Sequence, residues 1–287
     1  MNVIWDDAEN TCGNPSPVVD KKTGNIILLS TWNLGSDHEK QIIAGTSQDT
    51  RRIFTLTSDN EGETWSEARE ITADVKLPSW TWYATGPCNG IQIESGKYKG
   101  RIVIPCDHIE KESKKYYSHS IYTDDGGQTW KLGGTTPTDM VNECTVAELP
   151  KGKLMLNMRN YNEIRVRRFA VSKDGGMTWS ALEGDNTLIE PICQASLIAF
   201  KHGKKRALAF SNPASQKSRT NMTVRISYDQ GKTWKLTNAI HPGPAAYSNM
   251  VQLPNGNLAC LYEAGEKNPY ENIVFQALSF SDFKQLK

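Results

Sequence analysis

The chain has 287 residues, and its 33 Lys and Arg stand against 32 Asp and Glu. This balance provides no net field to attract nucleic acid or an anionic membrane, and no run of about 18 apolar residues offers a membrane span. The expected partner is small or neutral-surfaced, and the length fits one all-β architecture folded as a single domain over residues 1–287. The opening MNVIWDDAEN has neither a basic start nor an apolar signal region, which leaves the compartment unassigned. Cys12, Cys88, Cys106, Cys144, Cys193 and Cys260 lie far apart without a C-x-x-C pair, so neither a metal site nor another cofactor is expected. Cys106, Cys144, Cys193 and Cys260 sit in or beside apolar runs, where a free thiol behaves as a small buried hydrophobe.

In chain order, the strongest signal is a box that recurs four times. RIFTLT leads into SDNEGETW (58–65), YSHSIY into TDDGGQTW (123–130), RRFAVS into SKDGGMTW (172–179) and MTVRIS into SYDQGKTW (227–234). Each box follows a strand-like run and reads Ser/Thr-x-Asp/Asn-x-Gly-x-Thr-Trp. The Asp or Asn side chain can cap N–H groups of a tight turn, the Gly permits positive φ, and the Trp anchors the turn against a sheet. The tryptophans recur about 50 to 65 residues apart, which suits one four-stranded unit per repeat in a radial assembly. Helical patterning is almost absent, so the prediction is a β-propeller. Taken alone, the box is a folding device and says nothing of chemistry.

Two hairpins carry the chemistry-bearing residues. ECTVAEL and LMLNMRN flank Pro150-Lys151-Gly152, and the register set by that turn places Glu143 opposite Arg159 at the open end. AAYSNMVQL and NLACLYEAG flank Pro254-Asn255-Gly256, and the same reasoning sets Tyr247 opposite Glu263, an ordinary partner for it or for an arginine. In a propeller the innermost strands of successive blades run the same way, so the residues at their starts gather round one mouth. Glu143 and Tyr247 can meet there although they are far apart in sequence.

The string around Glu143, FSNPASQKSRTNMTVRIS (210–227) and AAYSNMVQLPNGNLACLYE (245–263) resemble the catalytic segments of the exo-α-sialidases, whose propellers carry Asp-box repeats. WYATGPCNGIQI (82–93), GRIVIPCDH (100–108) and EPICQASL (190–197) are similar to further segments of that family. The resemblance runs from about residue 12 to 280. It implies a six-bladed propeller of which this chain covers about five blades, and a hydrolase that removes terminal sialic acid from glycoproteins, glycolipids or oligosaccharides with retention. It makes Tyr247 the nucleophile, Glu143 the base that activates it, and Arg159 and Arg219 two of the three arginines that grip the sugar's carboxylate. A sialic acid bears that carboxylate on its anomeric carbon, so a neutral phenol approaches where a carboxylate nucleophile would be repelled. Arginine suits the carboxylate because its planar fork donates two parallel bonds.

Asn14 stands where the family often places a polar residue facing the sugar's hydroxyls, Gln194 approaches the same mouth, and Trp82 and Tyr83 either wall the pocket beneath the N-acetyl group or belong to the core. Arg51 and Arg52 alternate across a strand, so at most one faces the centre. His108 is open to a surface or a pocket position, and NMT at 221–223 matches a glycosylation acceptor inside a predicted strand. The sequence departs from the family at its start. The Arg-Ile-Pro strand that supplies the third arginine, and the following loop with an aspartate acid, are not found, and Asp6 and Asp7 lie in other surroundings. The domain is therefore expected to be N-terminally incomplete. The alternatives are a catalytically inactive propeller that binds sialylated glycans and a scaffold propeller whose boxes serve only folding.

Overall fold

The computed structural model describes residues 2–285. Its first sheet is formed by β1 (Thr11–Val19), β2 (Ile26–Asn33), β3 (Arg52–Ser58) and β4 (Arg69–Glu70), with the short helix α1 (Glu39–Ala44) between β2 and β3. After α2 (Thr72–Val75), β5 (Trp80–Thr85) and the two-residue β6 (Ile91–Gln92) both pair with β7 (Ile102–Glu110), which continues through β8 (Tyr116–Thr123) to β9 (Lys131–Thr135). The third sheet is β10 (Val141–Leu149), β11 (Lys153–Asn160), β12 (Val166–Ser172) and β13 (Glu183–Ile189). The fourth is β14 (Ser196–His202), β15 (Lys205–Pro213), β16 (Thr220–Ser227) and the first half of the long β17 (Leu236–Gln252). The second half of β17 starts the fifth sheet with β18 (Leu258–Ala264) and β19 (Asn272–Leu278), while β20 (Lys284–Gln285) returns to the fourth. None of the described helices is long and apolar enough to cross a membrane.

The five sheets form the larger part of a propeller, and four apolar clusters mark the four interfaces between successive sheets. Strand alternation feeds two interfaces from one strand. On β11, Leu154, Leu156 and Met158 face the second sheet while Met155 faces the fourth. Each fully buried side chain of this kind contributes about 1.5–3 kcal/mol.

The boxes take the form their sequence dictates. The hydroxyls of Ser58, Thr123, Ser172 and Ser227 accept from the N–H groups of Gly62, Gly127, Gly176 and Gly231 at 2.9–3.0 Å. Those glycines all have φ between 86° and 89°, where a side chain would be strained. The Asn or Asp two residues after each hydroxyl caps the N–H of Thr64, Thr129, Thr178 or Thr233. Trp130, Trp179 and Trp234 are then buried against the preceding sheet. Trp65 is only half-buried: it borders a cleft of about 510 Å³ between the flank of the first sheet, with Ile26 and Leu28, and that of the fifth, with Leu261 and Ile273.

All six cysteines are free, and the four expected in the core are buried, together with Cys88. His108 is neither a surface nor a pocket residue. It is buried, with its ring stacked 3.5 Å from Trp80 and its Nδ1 3.0 Å from Nδ1 of His119. Tyr83 is likewise fully buried in the core between the first two sheets, which settles its alternative in favour of packing.

Candidate active site

The hairpin β10–β11 has the register its turn implies, running from Cys144 opposite Met158 to Leu149 opposite Lys153. An irregularity between Val141 and Cys144 falls at the open end. There the Arg159 guanidinium donates to Glu143 Oε2 at 2.5 Å, both side chains being largely buried. Tyr247, within a similar irregularity at the start of the β17–β18 pairing, donates its phenol proton to Glu143 Oε1 in a short hydrogen bond. Arg159 Nη1 also reaches the phenol oxygen at 3.5 Å. One carboxylate thus takes a phenol on one oxygen and a guanidinium on the other.

The electrostatics follow from that geometry. Burial first, then the Glu143 charge and the hydrogen bond it accepts, push the Tyr247 phenol far above its ordinary range, so it rests protonated. Burial pulls Arg159 down, but the Glu143 carboxylate more than compensates and the guanidinium stays charged. Arg219 completes the cluster, with its guanidinium 5.6 Å from the centre of the Tyr247 ring. Its Nη1 donates to Tyr270 at 2.6 Å and its Nη2 to the Ile192 carbonyl at 3.3 Å.

The other expected residues divide. Glu263 accepts from the Tyr247 backbone N–H at 3.0 Å and so holds the start of that strand. Gln194 lines the cleft beside Tyr247 with its amide engaged by the carbonyls of Pro87 and Ser248 and the Ser248 N–H, and the residue is 2% exposed. It latches the strand bearing Tyr247 in place. Asn14 sits on the first sheet, where its side-chain oxygen accepts from Arg51 at 2.5 Å. Trp82 lies under the Arg51 guanidinium at 4.1 Å. Of the two adjacent arginines, Arg51 turns inward, and Arg52 pairs with Asp49 and Glu70 on the outside. Asp7 accepts from Trp32 Nε1 at 2.6 Å and from the Asn10 side-chain amide at 2.8 Å. Asn221 has φ 65° and donates to the Ala214 carbonyl at 3.3 Å.

Two tyrosines were not anticipated. Tyr161 accepts from Arg159 Nη2 at 2.9 Å and stacks on Tyr116; its spacing of two from Arg159 on one strand face was the available signal. Tyr270 comes from a loop pinned by Glu271, whose carboxylate accepts from three successive backbone N–H groups. Nothing local in the sequence places it beside Arg219.

Residues 2–260 match the profile of the BNR repeat-like domain family. The chain belongs to that family. Among proteins similar to this BNR-repeat chain is a sialidase of Micromonospora viridifaciens, 35% identical over 273 residues that cover 90% of this chain and 41% of that protein. A sialidase of Bacteroides fragilis is 32% identical over 286 residues, covering 96% of this chain and 51% of the relative. The chain thus spans about half the length of these relatives. Among solved structures, the Hadza microbial sialidase Hz136 superposes with a TM-score of 0.85 at 31% identity, covering 95% of this chain and 53% of that one.

Within the BNR-repeat fold a buried ion pair ties the site to its scaffold. Arg167, fully buried, donates to Glu190 Oε2 at 2.8 Å, to the Cys193 carbonyl at 2.7 Å and to Asn157 Oδ1 at 2.8 Å. Glu190 in turn accepts from the N–H of Asn160, next to Arg159, at 2.7 Å. One pair therefore fixes the end of β11 and the segment that leads to Gln194.

Proposed function

We propose that this chain carries the glycone centre of an exo-α-sialidase-like glycoside hydrolase, acting on terminal sialic acid of glycoconjugates with retention. The observation that carries the proposal is the Tyr247 phenol bonded to Glu143 Oε1 while Arg159 holds Oε2. The sugar carboxylate lies against Arg159 and Arg219. The Tyr247 oxygen attacks the anomeric carbon as Glu143 takes its proton, the bond to the leaving oxygen breaks, and water later hydrolyses the tyrosyl-glycosyl intermediate. Because the phenol rests protonated, Glu143 acts as base during bond formation rather than by ionising the tyrosine beforehand.

The ring and the site are completed together in this reading. Trp65 repeats the box tryptophan yet lacks the neighbouring sheet that buries Trp130, Trp179 and Trp234. On the far side of the cleft, Ile273 and Phe275 of β19 are 74% and 62% exposed. In this reading a further sheet packed against these two flanks would cover them and is the natural source of the third arginine and the proton-donating aspartate. The second reading is binding of sialylated glycans without turnover.

The test is release of the fluorophore from a fluorogenic α-sialoside, with the anomer formed first read by NMR. A protein whose ring is closed by a sixth sheet should turn over with retention. Inversion would overturn the nucleophile assignment, and binding without release from the closed ring would favour the second reading.

A further inference from the structure

The fourth sheet turns one face to the fifth and the other to the third. On β16, Met222, Val224 and Ile226 pack toward the fifth sheet, so alternation turns Thr223 and Arg225 the other way. Arg225 is 7% exposed, and the one hydrogen bond its guanidinium makes among the described residues runs from Nη1 to Asn212 Oδ1 at 3.1 Å. Asn212 donates in turn to the carbonyls of Ile189 and Pro213 at 2.8 and 3.1 Å, which fixes that oxygen toward the arginine. No carboxylate pairs with Arg225 among the described residues: Asp185, whose charge reaches it, accepts instead from Trp234 Nε1 at 2.7 Å and from the Thr187 N–H at 2.9 Å. Burial pulls the guanidinium down to about 10, which leaves it charged at neutral pH.

Arg225 lines a cleft of about 480 Å³ together with Asn221 and Thr223 of the same strand, Thr237 of β17, and Asp282 and Lys284, the last on β20. The cleft shares no lining residue with the cluster of Tyr247, Glu143, Arg159 and Arg219. A buried cation with one neutral acceptor is incompletely satisfied, and a ligand in the cleft would supply the missing acceptors. The charges say which ligand. Lys284 adds a second, exposed cation, and Asp282 sets one carboxylate against the two, so a single negative charge is attracted while a double one meets repulsion from Asp282. The planar guanidinium suits a carboxylate, the side chains of Thr237 and Asn221 suit hydroxyls, and the volume suits one sugar-sized molecule.

We propose that this cleft is a second ligand site, separate from the Tyr247 centre, which takes a small hydroxylated monocarboxylate, a sugar acid, with its carboxylate on Arg225 and Lys284 and its hydroxyls on Thr237 and Asn221. The site stands independently of the sialic acid reading above. Asn212 holds the guanidinium by one edge and leaves its other N–H groups to the ligand, so the fork is set in place before anything binds. Lys284, on an exposed strand end, steers the anion inward and adds less.

The test is a ligand-observed NMR titration on the full chain carrying Arg159→Ala and Arg219→Ala, which silences the carboxylate grip at the Tyr247 centre. Glucuronate and N-acetylneuraminate are the two sources of a sugar acid, and acetate and glucose present the carboxylate and the hydroxyls alone. At least one of the acids should bind more tightly than acetate, and the tighter of the two names the source. Glucose should bind about 10- to 100-fold more weakly than that acid, the range for hydrogen bonds to a charged group. Adding Arg225→Leu should weaken the acid by the same factor, with a melting temperature unchanged or raised because a desolvated cation has gone. Adding Lys284→Ala, at an exposed side chain, should weaken it about 2- to 5-fold and reads the site even where Arg225→Leu fails to fold. No binding of either acid, acetate binding as tightly as the acids, or an affinity indifferent to Lys284→Ala and to a folded Arg225→Leu overturns the proposal. The sialic acid reading of the Tyr247 centre is untouched by any of these outcomes.

Discussion

Breaking the Arg167–Glu190 pair gives the sharpest test of how the scaffold holds the site. Both side chains are fully buried, and Arg167 makes three hydrogen bonds of 2.7–2.8 Å. Arg167→Leu leaves Glu190 with only the N–H groups of Asn160 and Cys193 and strips Asn157 Oδ1 and the Cys193 carbonyl of this donor. Leaving one buried charge uncompensated costs about 3–5 kcal/mol. Replacing both partners by Leu removes the charge problem and leaves chiefly orphaned backbone groups, at about 1–3 kcal/mol. The double variant should therefore be more stable than Arg167→Leu alone. The measurement is urea unfolding followed by tryptophan fluorescence, comparing midpoints at constant slope. Because Asn160 adjoins Arg159, the single variant should also weaken binding of a carboxylate sugar. An Arg167→Leu protein within about 1 kcal/mol of wild type, or a double variant less stable than the single, would refute the reasoning.

Tyr247→Phe should abolish turnover in a protein whose ring is closed while leaving melting nearly unchanged, since one oxygen goes and the ring still packs; turnover near wild type would sink the nucleophile assignment. Glu143→Gln should behave similarly in the sialoside assay, because the amide keeps the shape and loses the base. Arg159→Ala and Arg219→Ala should each weaken sialic acid binding by about 1.5–3 kcal/mol and affect a ligand without the carboxylate less, as calorimetry would show. The His108–His119 pair predicts acid lability. Burial lowers His108 to about 3 and lowers His119 strongly, so the unfolded chain binds more protons below about 6.5. Stability then falls with pH by up to about 1.4 kcal/mol per unit for each histidine until the folded-state values are reached. Asp107, whose carboxyl burial pushes up, acts with the opposite sign, and comparing wild type with the His108→Phe/His119→Leu variant removes its share; urea midpoints at pH 7.5 and 4.5 should show a flatter dependence in the variant.

The features legible in the sequence are those whose cause is local. Ser/Thr, Asp/Asn, Gly and Trp at fixed spacing are bound within eight residues to one turn, and the structure repeats that turn with φ values within a few degrees. The register of β10 and β11 follows from Pro150-Lys151-Gly152, and with it the meeting of Glu143 and Arg159. The approach of Tyr247 to Glu143 needed one further step, that successive inner strands begin at one mouth. Tertiary structure decided what depends on other sheets. Gln194 is spent on the carbonyls of Pro87 and Ser248, His108 is taken into the core by Trp80, and Tyr270 reaches Arg219 from a loop held by Glu271. The same holds for Arg51 and Arg52: alternation allowed only one to face inward, and the choice rested on Asn14, Thr31 and Trp82, which three separate segments bring beneath a single guanidinium. A hydrogen bond within a turn is encoded by neighbours in the chain, whereas a charge beneath the mouth is placed by packing that no short stretch of sequence contains.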